Sequence, residues 1–591
     1  MQSSRFLPFS YGLFCAAVAG GSLGACGGGG GGTGGGGTGN VPGVACGDAT
    51  PWVTSGTAAV TLTVDAASPG AAWNRFYEGA VATDHANTLL TGAWGRNAQN
   101  ALKKGHDEAG FRYARFHGIL NRDIGVYPDV APALATETPD YHWERFDQVY
   151  DAVVAAGMRP IVEIGFTPPA LASSATQLQA QLWYNGVSPN ISKPTIAPSA
   201  GALPTWDHWQ KFMADIVRHL EERYGAEEVR NNWYFEVWNE ATWMYGPGAA
   251  GYNELYRNTA LGLMQGDPAV KVGGPADSGG NSPNAIPGLI DFVRAAPQAA
   301  EGLKLDFITY HHYARDDVFN RPGANSDAGA FVLYKRDLMN LIATRNFTGE
   351  IINDEWGPGY DPELSRDTEA TASFIAKSVH FIGTDTTTRV PTMYGYWTLS
   401  DIYEEMNTGS ALAYREGNYG LLLKGDPNVP ASFDLAKPGF NGFRLLHMMT
   451  DTVVPVTGGI AAATDNGVGA VATLAADGSS IQVLVYNHTN SFDLATWQTR
   501  ASESMLVSLT INDLPFAPTR VLHYVVDHTH SNSHTVWADM GKPAQPSAEQ
   551  WETLRDASEL CYYEAAPSGG NSWTATFPQN TYSASLIELR R

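Results

Sequence analysis

The sequence predicts a protein of the α/β class, a (β/α)₈ TIM barrel followed by an accessory β-sandwich domain at the C-terminus. Three observations support this prediction. Short apolar runs alternate with helical periods between about residues 75 and 450, a length that fits an eight-stranded barrel with insertions. After residue 450 the pattern changes to β-type runs separated by turn signals. The 591 residues accommodate one large barrel and a second domain. A doubly wound open sheet is the alternative.

The elements of the predicted barrel follow in order along the chain. Asn97–Ala109 has the pattern of a helix, and an apolar stripe at helical spacing begins at Trp206 and ends before Gly225. Eight apolar runs are assigned to strands: Phe76–Gly79, Phe111–Phe116, Arg159–Ile164, Trp233–Trp238, Lys271–Gly274, Leu305–His311, Ile351–Glu355 and Met393–Leu399.

The predicted sandwich consists of strands at Ala470–Leu474, Ile481–Tyr486, Met505–Ile511 and Arg520–Val526. Val60–Val64 alternates in the same way and is expected to join this sandwich from upstream of the barrel. The predicted domains are therefore an N-terminal strand region at 46–75, the barrel at 76–450 and the β-sandwich at 451–591.

The N-terminus has the pattern of an export signal. Arg5 precedes an uncharged stretch that ends in Leu23-Gly24-Ala25-Cys26, which resembles a bacterial lipobox with Cys26 as the lipidated residue. We expect residues 1–26 to be a lipoprotein signal and 27–45 to be a glycine-rich flexible tether. The expected location is the bacterial cell envelope, at the outer membrane or the periplasmic face. Ordinary cleavage near Ala25 with secretion, or an uncleaved anchor, is the alternative.

Two cysteines remain after export, Cys46 and Cys561. In an oxidising compartment they can form a disulfide that ties the N-terminal strand region to the C-terminal domain. Two separate buried thiols are the alternative.

Composition excludes some partners. The formal net charge is −23, which argues against nucleic acid and against docking on anionic lipid. The membrane is therefore expected to be contacted only through the N-terminal lipid. The 16 tryptophans suit sugar rings, but they suit an aromatic core equally well.

Two glutamates end predicted strands four and seven. Glu240 follows Tyr234–Val237, and Glu355 follows Ile351 and Ile352. Glutamate is uncommon in buried strands, and one such residue could be a salt-bridge partner. Two of them at these positions face each other across the barrel mouth, where retaining glycosidases hold carboxyl groups ~5–5.5 Å apart.

Around these glutamates the sequence resembles glycoside hydrolase family 39, a member of the clan of retaining barrel glycosidases. The resemblance extends from about Trp73 to the C-terminus. It is carried by several motifs: Arg115–Gly118, Glu163–Phe166, Trp238-Asn239-Glu240, His311-His312-Tyr313, Asp354-Glu355-Trp356 and Tyr396–Glu405. Ala241 and Ala314 stand where the family usually has proline.

The resemblance implies a role for each matched residue. Glu240 would be the general acid and then the base, and Glu355 the nucleophile. Asn239 would bind the sugar 2-OH. The other implied substrate-binding residues are His117, Phe166, His311, Tyr313, Trp397, Glu404 and Glu405. Phe166 and Trp397 could instead be core residues, and His311 or His312 a structural histidine.

The function expected from this resemblance is retaining hydrolysis of O-glycosyl bonds, most simply as an exo-acting β-xylosidase on short xylo-oligosaccharides. Other activities of the family remain open: β-glucosidase, arabinosidase, β-galactosidase and, disfavoured by the negative Glu404-Glu405 pair, α-L-iduronidase. A non-catalytic surface protein that binds carbohydrate is the alternative from another class. The oligomeric state is left open.

No cofactor or metal is expected, because both carboxylates of a retaining hydrolase come from the protein. The histidines of Asp527-His528-Thr529-His530 and His534 lack the spacing of a structural zinc site.

Overall fold

The computed structural model describes residues 43–591 except 49, 54–55, 91, 173–204, 245–247, 317–318, 320–323, 325, 360–362, 403–415, 417, 426–428, 494 and 568. The predicted signal, Cys26 and most of the tether therefore lie outside the described residues, as do Glu404 and Glu405. Among the helices that the structure describes, none has the length and apolar character needed to cross a membrane.

The strands of the described residues are numbered in chain order. They are β1 (Val44–Ala45), β2 (Val60–Asp65), β3 (Ala80–Ala82), β4 (Tyr113–Arg115), β5 (Arg159–Ile164), β6 (Tyr234–Val237), β7 (Lys271–Asp277), β8 (Phe307–Tyr313), β9 (Glu350–Gly357), β10 (Met393–Tyr396), β11 (Thr452–Val454), β12 (Val456–Thr457), β13 (Gly467–Leu474), β14 (Ser480–His488), β15 (Ser504–Asn512), β16 (Arg520–Val526), β17 (Cys561–Ala565), β18 (Trp573–Asn580) and β19 (Ser583–Arg590).

The helices are numbered in the same way. They are α1 (Ala93–Ala109), α2 (Trp143–Ala155), α3 (Trp206–Tyr224), α4 (Ala226–Asn232), α5 (Ala241–Met244), α6 (Gly248–Gly266), α7 (Ser282–Arg294), α8 (Ala296–Ala300), α9 (Ala328–Ala343), α10 (Glu369–Gly383), α11 (Pro438–His447), α12 (Trp497–Ala501), α13 (Ser533–Asp539) and α14 (Ala548–Ser558).

Eight parallel strands, β3 to β10, close into a barrel, and each pairs with the next in chain order. The predicted TIM barrel is thereby confirmed, and the open-sheet alternative is wrong. β6 and β9 are the fourth and seventh strands of the barrel. Because the barrel strands are parallel, their C-terminal ends meet at one mouth, where catalytic groups of such barrels lie.

The first barrel strand is not where the sequence predicts it. Phe76–Glu78 is a turn of 3₁₀ helix, and the strand is Ala80–Ala82. Phe76 and Tyr77 are both fully buried, and Tyr77 donates a hydrogen bond to the carbonyl of Leu446. Burial of two neighbouring apolar residues does not distinguish the two conformations, because both faces of a barrel strand are also buried, as in β6 and β8.

Two further sheets lie outside the barrel. One has the order β1-β17-β16-β19-β14-β13-β11, and the other has the order β12-β2-β15-β18. Their shared core contains Leu62 and Val64 of β2, so the upstream strand belongs to this sandwich. Ile481, Val483 and Val485 of β14 enter the same core, whereas Leu484 and Tyr486 pack with the core of the barrel. The two-residue alternation of one strand thus joins the sandwich to the barrel.

A disulfide joins Cys46 to Cys561, with a Cα–Cα distance of 5.1 Å. The bond lies where β1 and β17 pair in parallel, with Val44 opposite Cys561 and Ala45 opposite Tyr562. Asp48 adds to this attachment, because the Tyr563 hydroxyl donates to its carboxylate over 2.6 Å. The N-terminal segment is therefore fastened to the seven-stranded sheet by a covalent bond as well as by backbone pairing.

Candidate active site

The two glutamates meet at the barrel mouth. One carboxylate oxygen of Glu240, one of Glu355 and a ring nitrogen of His311 all lie within 4.8 Å of one another. Inverting glycosidases need a separation of ~6.5–9.5 Å to place a water between their carboxyl groups. The short distance here leaves no such space and fits direct attack by one carboxylate on the sugar.

The backbone after β6 has an unusual conformation. Trp238 and Glu240 have φ angles of 70° and 41°, a region that residues other than glycine seldom adopt. The Glu240 amide donates to the carbonyl of Ala276 over 2.8 Å, which holds the turn against β7. Trp238 is fully buried beside the ring of Phe166, at 5.1 Å between centroids. This anchored turn aims the Glu240 side chain over the mouth of the barrel.

Glu355 lies among groups that stabilise a negative charge. Its Oε1 accepts a hydrogen bond from Arg115 Nη1 over 2.9 Å, and its Oε2 accepts one from the Tyr313 hydroxyl over 2.9 Å. His311 Nδ1 is 3.2 Å from Oε2. A cation and two polar hydrogens around a nearly buried carboxylate prepare it to act as a nucleophile.

Glu240 is held differently. Its Oε1 lies 2.7 Å from His311 Nδ1, and its side chain keeps 13% of its surface exposed against 7% for Glu355. An acid that also acts as a base must be reached first by the leaving group and then by water. The more open position of Glu240 meets this requirement.

His311 connects the two glutamates. Burial alone would lower the pKa of its imidazole, but the carboxylates of Glu355 and Asp354 outweigh burial and raise that pKa well above its ordinary value. A charged His311 presents a proton at Nδ1 to both catalytic carboxyl groups, at 2.7 Å from Glu240 and 3.2 Å from Glu355.

The next residue, His312, is a structural residue. Its ring stacks on Phe331 at 4.6 Å and on Tyr334 at 3.7 Å, and burial lowers its pKa well below the ordinary value. Side chains alternate along β8, so His311 and Tyr313 point into the mouth while His312 points into the helical layer.

Asn239 and His117 lie beside the nucleophile. The Asn239 side-chain oxygen accepts from Arg115 Nη2 over 2.8 Å, which sets the orientation of the amide. His117 Nδ1 is 2.7 Å from Glu163 Oε2, and its Nε2 is 3.6 Å from Glu355 Oε1. Burial opposes a charge on His117, but Glu163 overcomes it and raises the pKa of this histidine. Both predicted sugar-binding residues therefore have fixed orientations.

Phe166 and Trp397 flank His117 on the same side of the site. Their ring centroids lie 6.3 and 4.9 Å from that of His117. Trp397 also packs in a small cluster with Tyr313 and Tyr419. Both aromatic residues are nearly buried, but they pack against the active site and not in a remote part of the core. This is the position expected of an apolar wall beside the sugar.

Arg115 is a residue of the site for which the sequence predicted no role, although it begins the motif Arg115–Gly118. Arg115 is fully buried and contacts four carboxylates, those of Glu163, Glu236, Asp354 and Glu355, at 2.6–3.0 Å. A signal was present, because charged residues inside otherwise apolar strands are rare unless they are paired. The charged residues within β4, β5, β6 and β9 together indicate a buried network of one arginine and several carboxylates.

The histidines after β16 do not converge on one point. His528 contacts Glu369 at 3.2 Å, His530 contacts Asp527 at 2.9 Å, and His534 contacts Glu416 at 3.1 Å. Each therefore belongs to its own pair within the interface of the accessory domain.

Comparisons with known proteins agree with this geometry. Residues 60–569 match the family model described as Glycosyl hydrolases family 39. A beta-xylosidase of Caldicellulosiruptor saccharolyticus is 28% identical over 511 residues, which cover 82% of this chain and 89% of that protein. A beta-xylosidase of Geobacillus stearothermophilus is 27% identical over 476 residues, 77% of this chain and 82% of that protein.

Among solved structures, the GH39 enzyme from Xanthomonas axonopodis pv. citri is similar. It superposes with a TM-score of 0.71 at 25% identity and covers 90% of this chain and 97% of its own. The likeness therefore includes the sandwich as well as the barrel, and residues 60–569 include both Glu240 and Glu355. The chain thus belongs to glycosyl hydrolases family 39 and is a retaining glycosidase that hydrolyses O-glycosyl bonds of a carbohydrate substrate.

Proposed function

We propose that this chain is an exo-acting β-xylosidase that shortens xylo-oligosaccharides. The observation that carries the proposal is the extent of its similarity to two beta-xylosidases, which spans most of the chain and most of each relative. The arrangement of Glu240 and Glu355 supplies the two-step chemistry that such hydrolysis requires.

The charges beside the site favour a neutral sugar. A uronic acid would need a basic side chain for its carboxylate. Arg115 is occupied by its four carboxylates, and buried Arg366 donates to the carbonyls of Trp397, Tyr419 and Gly359. Within the part of the chain that the structure describes, these two arginines beside the site thus already have partners in the protein, which supports a xyloside over an iduronide.

A panel of aryl glycosides tests the sugar preference. We expect kcat/KM for the β-xyloside to exceed that for the β-glucoside by about 10- to 200-fold, because a substituent at C5 changes binding in a closed pocket by a few kcal/mol. The galactoside, arabinoside and iduronide complete the panel, and the Glu355→Ala protein is the blank. A higher kcat/KM for any of these than for the xyloside would reject the proposed substrate.

The time course on xylotetraose tests the mode of action. An exo-acting enzyme releases xylose and xylotriose in equal amounts from the first turnover, whereas internal cleavage gives xylobiose first. Xylobiose as the main early product would contradict exo action.

We further propose that the protein is exported and attached to the cell envelope through a lipid on Cys26. The support is the uncharged stretch before Leu23-Gly24-Ala25-Cys26 and the glycine-rich segment that follows it. The disulfide between Cys46 and Cys561 suits an oxidising compartment.

Replacing Cys26 with Ser removes the acceptor for the lipid. We expect this variant to move from the membrane fraction to the soluble fraction and to lose incorporation of labelled fatty acid, because each buried CH₂ contributes ~0.8 kcal/mol to attachment. Cys15→Ser is the matched control and should stay with the membrane. Membrane association of the Cys26 variant equal to that of wild type would contradict lipidation.

A further inference from the structure

A second pair of acidic residues lies beneath the catalytic glutamates. Glu236 of β6 precedes Glu240 by four residues and Asp354 of β9 directly precedes Glu355, and both side chains are fully buried. Both contact a single atom, Nε of Arg115, at 2.6 Å from Glu236 Oε2 and 3.0 Å from Asp354 Oδ2. Two carboxylates this close cannot both be ionised without strong repulsion.

Carboxyl oxygens of this pair lack a hydrogen-bond donor among the described residues. Within the described residues, Glu236 Oε1 and Asp354 Oδ1 are buried and have no hydrogen-bond partner, and the contacts of Asp354 Oδ2 are ion pairs with Arg115 Nε and His311 Nε2. Ionised carboxylates can only accept, whereas a protonated carboxyl group can donate. A proton on one member of the pair would satisfy an oxygen of the other and remove the repulsion.

The surrounding charges decide which member holds the proton. Asp354 lies beside two cationic groups, Arg115 at 3.0 Å and His311 Nε2 at 3.5 Å. Among the described residues, Glu236 has one cationic contact, which is Arg115. The ionised form is thus better stabilised on Asp354, and the proton belongs on Glu236. The pKa directions agree: burial raises the pKa of Glu236 well above its ordinary value, whereas Arg115 and His311 overcome burial and lower that of Asp354.

Asp354 in turn reaches the acid/base. Its Oδ2 lies 3.5 Å from His311 Nε2, and Nδ1 of the same ring lies 2.7 Å from Glu240 Oε1. Arg115, which Glu236 contacts at Nε, donates to Glu355 from Nη1. A single residue therefore connects each member of the buried pair to a glutamate at the mouth: Arg115 connects Glu236 to Glu355, and His311 connects Asp354 to Glu240.

We propose that Glu236 is a positioning residue of the hydrolysis, kept as a neutral carboxylic acid that donates to Asp354, so that Asp354 holds His311 against Glu240. Glu236 touches no reacting atom in this arrangement. Its two oxygens have separate tasks, since Oε2 accepts from Arg115 and Oε1 carries the proton toward Asp354.

The substitution Glu236→Gln tests whether position 236 needs a neutral hydrogen-bond donor or a negatively charged side chain. Glutamine has the same shape, accepts from Arg115 through its oxygen and donates to Asp354 through its amide. We expect kcat/KM of this variant to stay within about fivefold of wild type on the aryl glycoside that wild type hydrolyses best. Glu236→Leu fills the same space without a donor, and we expect its kcat to fall by more than about 30-fold with little change in KM. A loss in Glu236→Gln as large as that in Glu236→Leu would show that Arg115 needs a charged partner there and would overturn the proposal.

Asp354→Asn tests the acceptor. An asparagine leaves His311 and Arg115 without their negative neighbour, so we expect a loss in kcat of more than about 30-fold while Glu236→Gln remains active. Comparable activity of Asp354→Asn and wild type would also overturn the proposal. Because an aliphatic variant can fail to fold, each variant is checked by its melting temperature.

Infrared spectroscopy provides a measurement that does not depend on turnover. The difference spectrum of wild type minus Glu236→Gln should contain the C=O stretch of a protonated carboxyl group near neutral pH. A band of an ionised carboxylate in its place would refute a neutral Glu236, whichever sugar the enzyme prefers.

Discussion

Replacing Glu355 with Ala is expected to remove turnover of every glycoside, by about 10⁴- to 10⁶-fold in kcat, because no covalent glycosyl-enzyme can form. Arg115 and Tyr313 would then surround an empty position beneath the sugar. The measurement is the initial rate on aryl glycosides with leaving groups of different acidity, and all should fall together. Correct folding is checked by the melting temperature.

Added azide gives this variant a diagnostic product. The small anion can occupy the space left by the carboxylate and attack the sugar directly, which inverts the anomeric centre. An α-glycosyl azide from a β-glycoside is therefore expected. A variant that keeps turnover near that of wild type, or a wild-type enzyme whose first product is the inverted sugar by NMR, would contradict the role of Glu355 as nucleophile.

Replacing Glu240 with Ala is expected to act selectively. Substrates with poor leaving groups need protonation and should lose about 10²- to 10⁴-fold in kcat/KM, the usual contribution of general acid catalysis. Aryl glycosides with good leaving groups should still form the glycosyl-enzyme. That intermediate should then accumulate, because no base activates water, and mass spectrometry of the intact protein should detect it.

Azide again reports on the mechanism of the Glu240 variant. Here it attacks the accumulated intermediate and should restore turnover, with a β-glycosyl azide as the product of a β-glycoside. The opposite anomers from the Glu240 and Glu355 variants form an internal control. If the Glu240 variant accumulates no intermediate and yields no azide product, its assignment as acid/base is wrong.

The sequence was sufficient to predict the barrel and to indicate that Glu240 and Glu355 meet at its mouth. Glu240 follows β6 and Glu355 lies near the end of β9, and a glutamate beside the apolar residues of such strands is uncommon enough to be noticed in the sequence. The two glutamates are expected to lie close together because β6 and β9 are the fourth and seventh strands of a closed barrel and end at the same mouth. The family resemblance then supplied the division of roles.

Other features depend on contacts that no local pattern contains. The first strand begins later than predicted, because buried apolar neighbours such as Phe76 and Tyr77 occur both in barrel strands and in the 3₁₀ turn that they form here. The network around Arg115 joins side chains separated by up to 240 positions, and the proton proposed for Glu236 depends on contacts between these distant residues. Of the implied substrate-binding residues, Glu404 and Glu405 lie outside the described residues, and their roles stay predictions.

The position of β2 between β12 and β15 means that this strand is synthesised long before either of its neighbours in the sheet. Val60–Asp65 leaves the ribosome about 440 residues before its parallel neighbour Ser504–Asn512, which is about 20 to 90 s at ~5–20 residues per second. Its other neighbour, Val456–Thr457, follows after about 390 residues, so for most of this interval both edges of the strand are without their final partners, a condition that favours association between chains. Thr61 and Thr63 alternate with its aliphatic residues, so the less buried face of the strand is polar and less prone to such association than an aliphatic face would be.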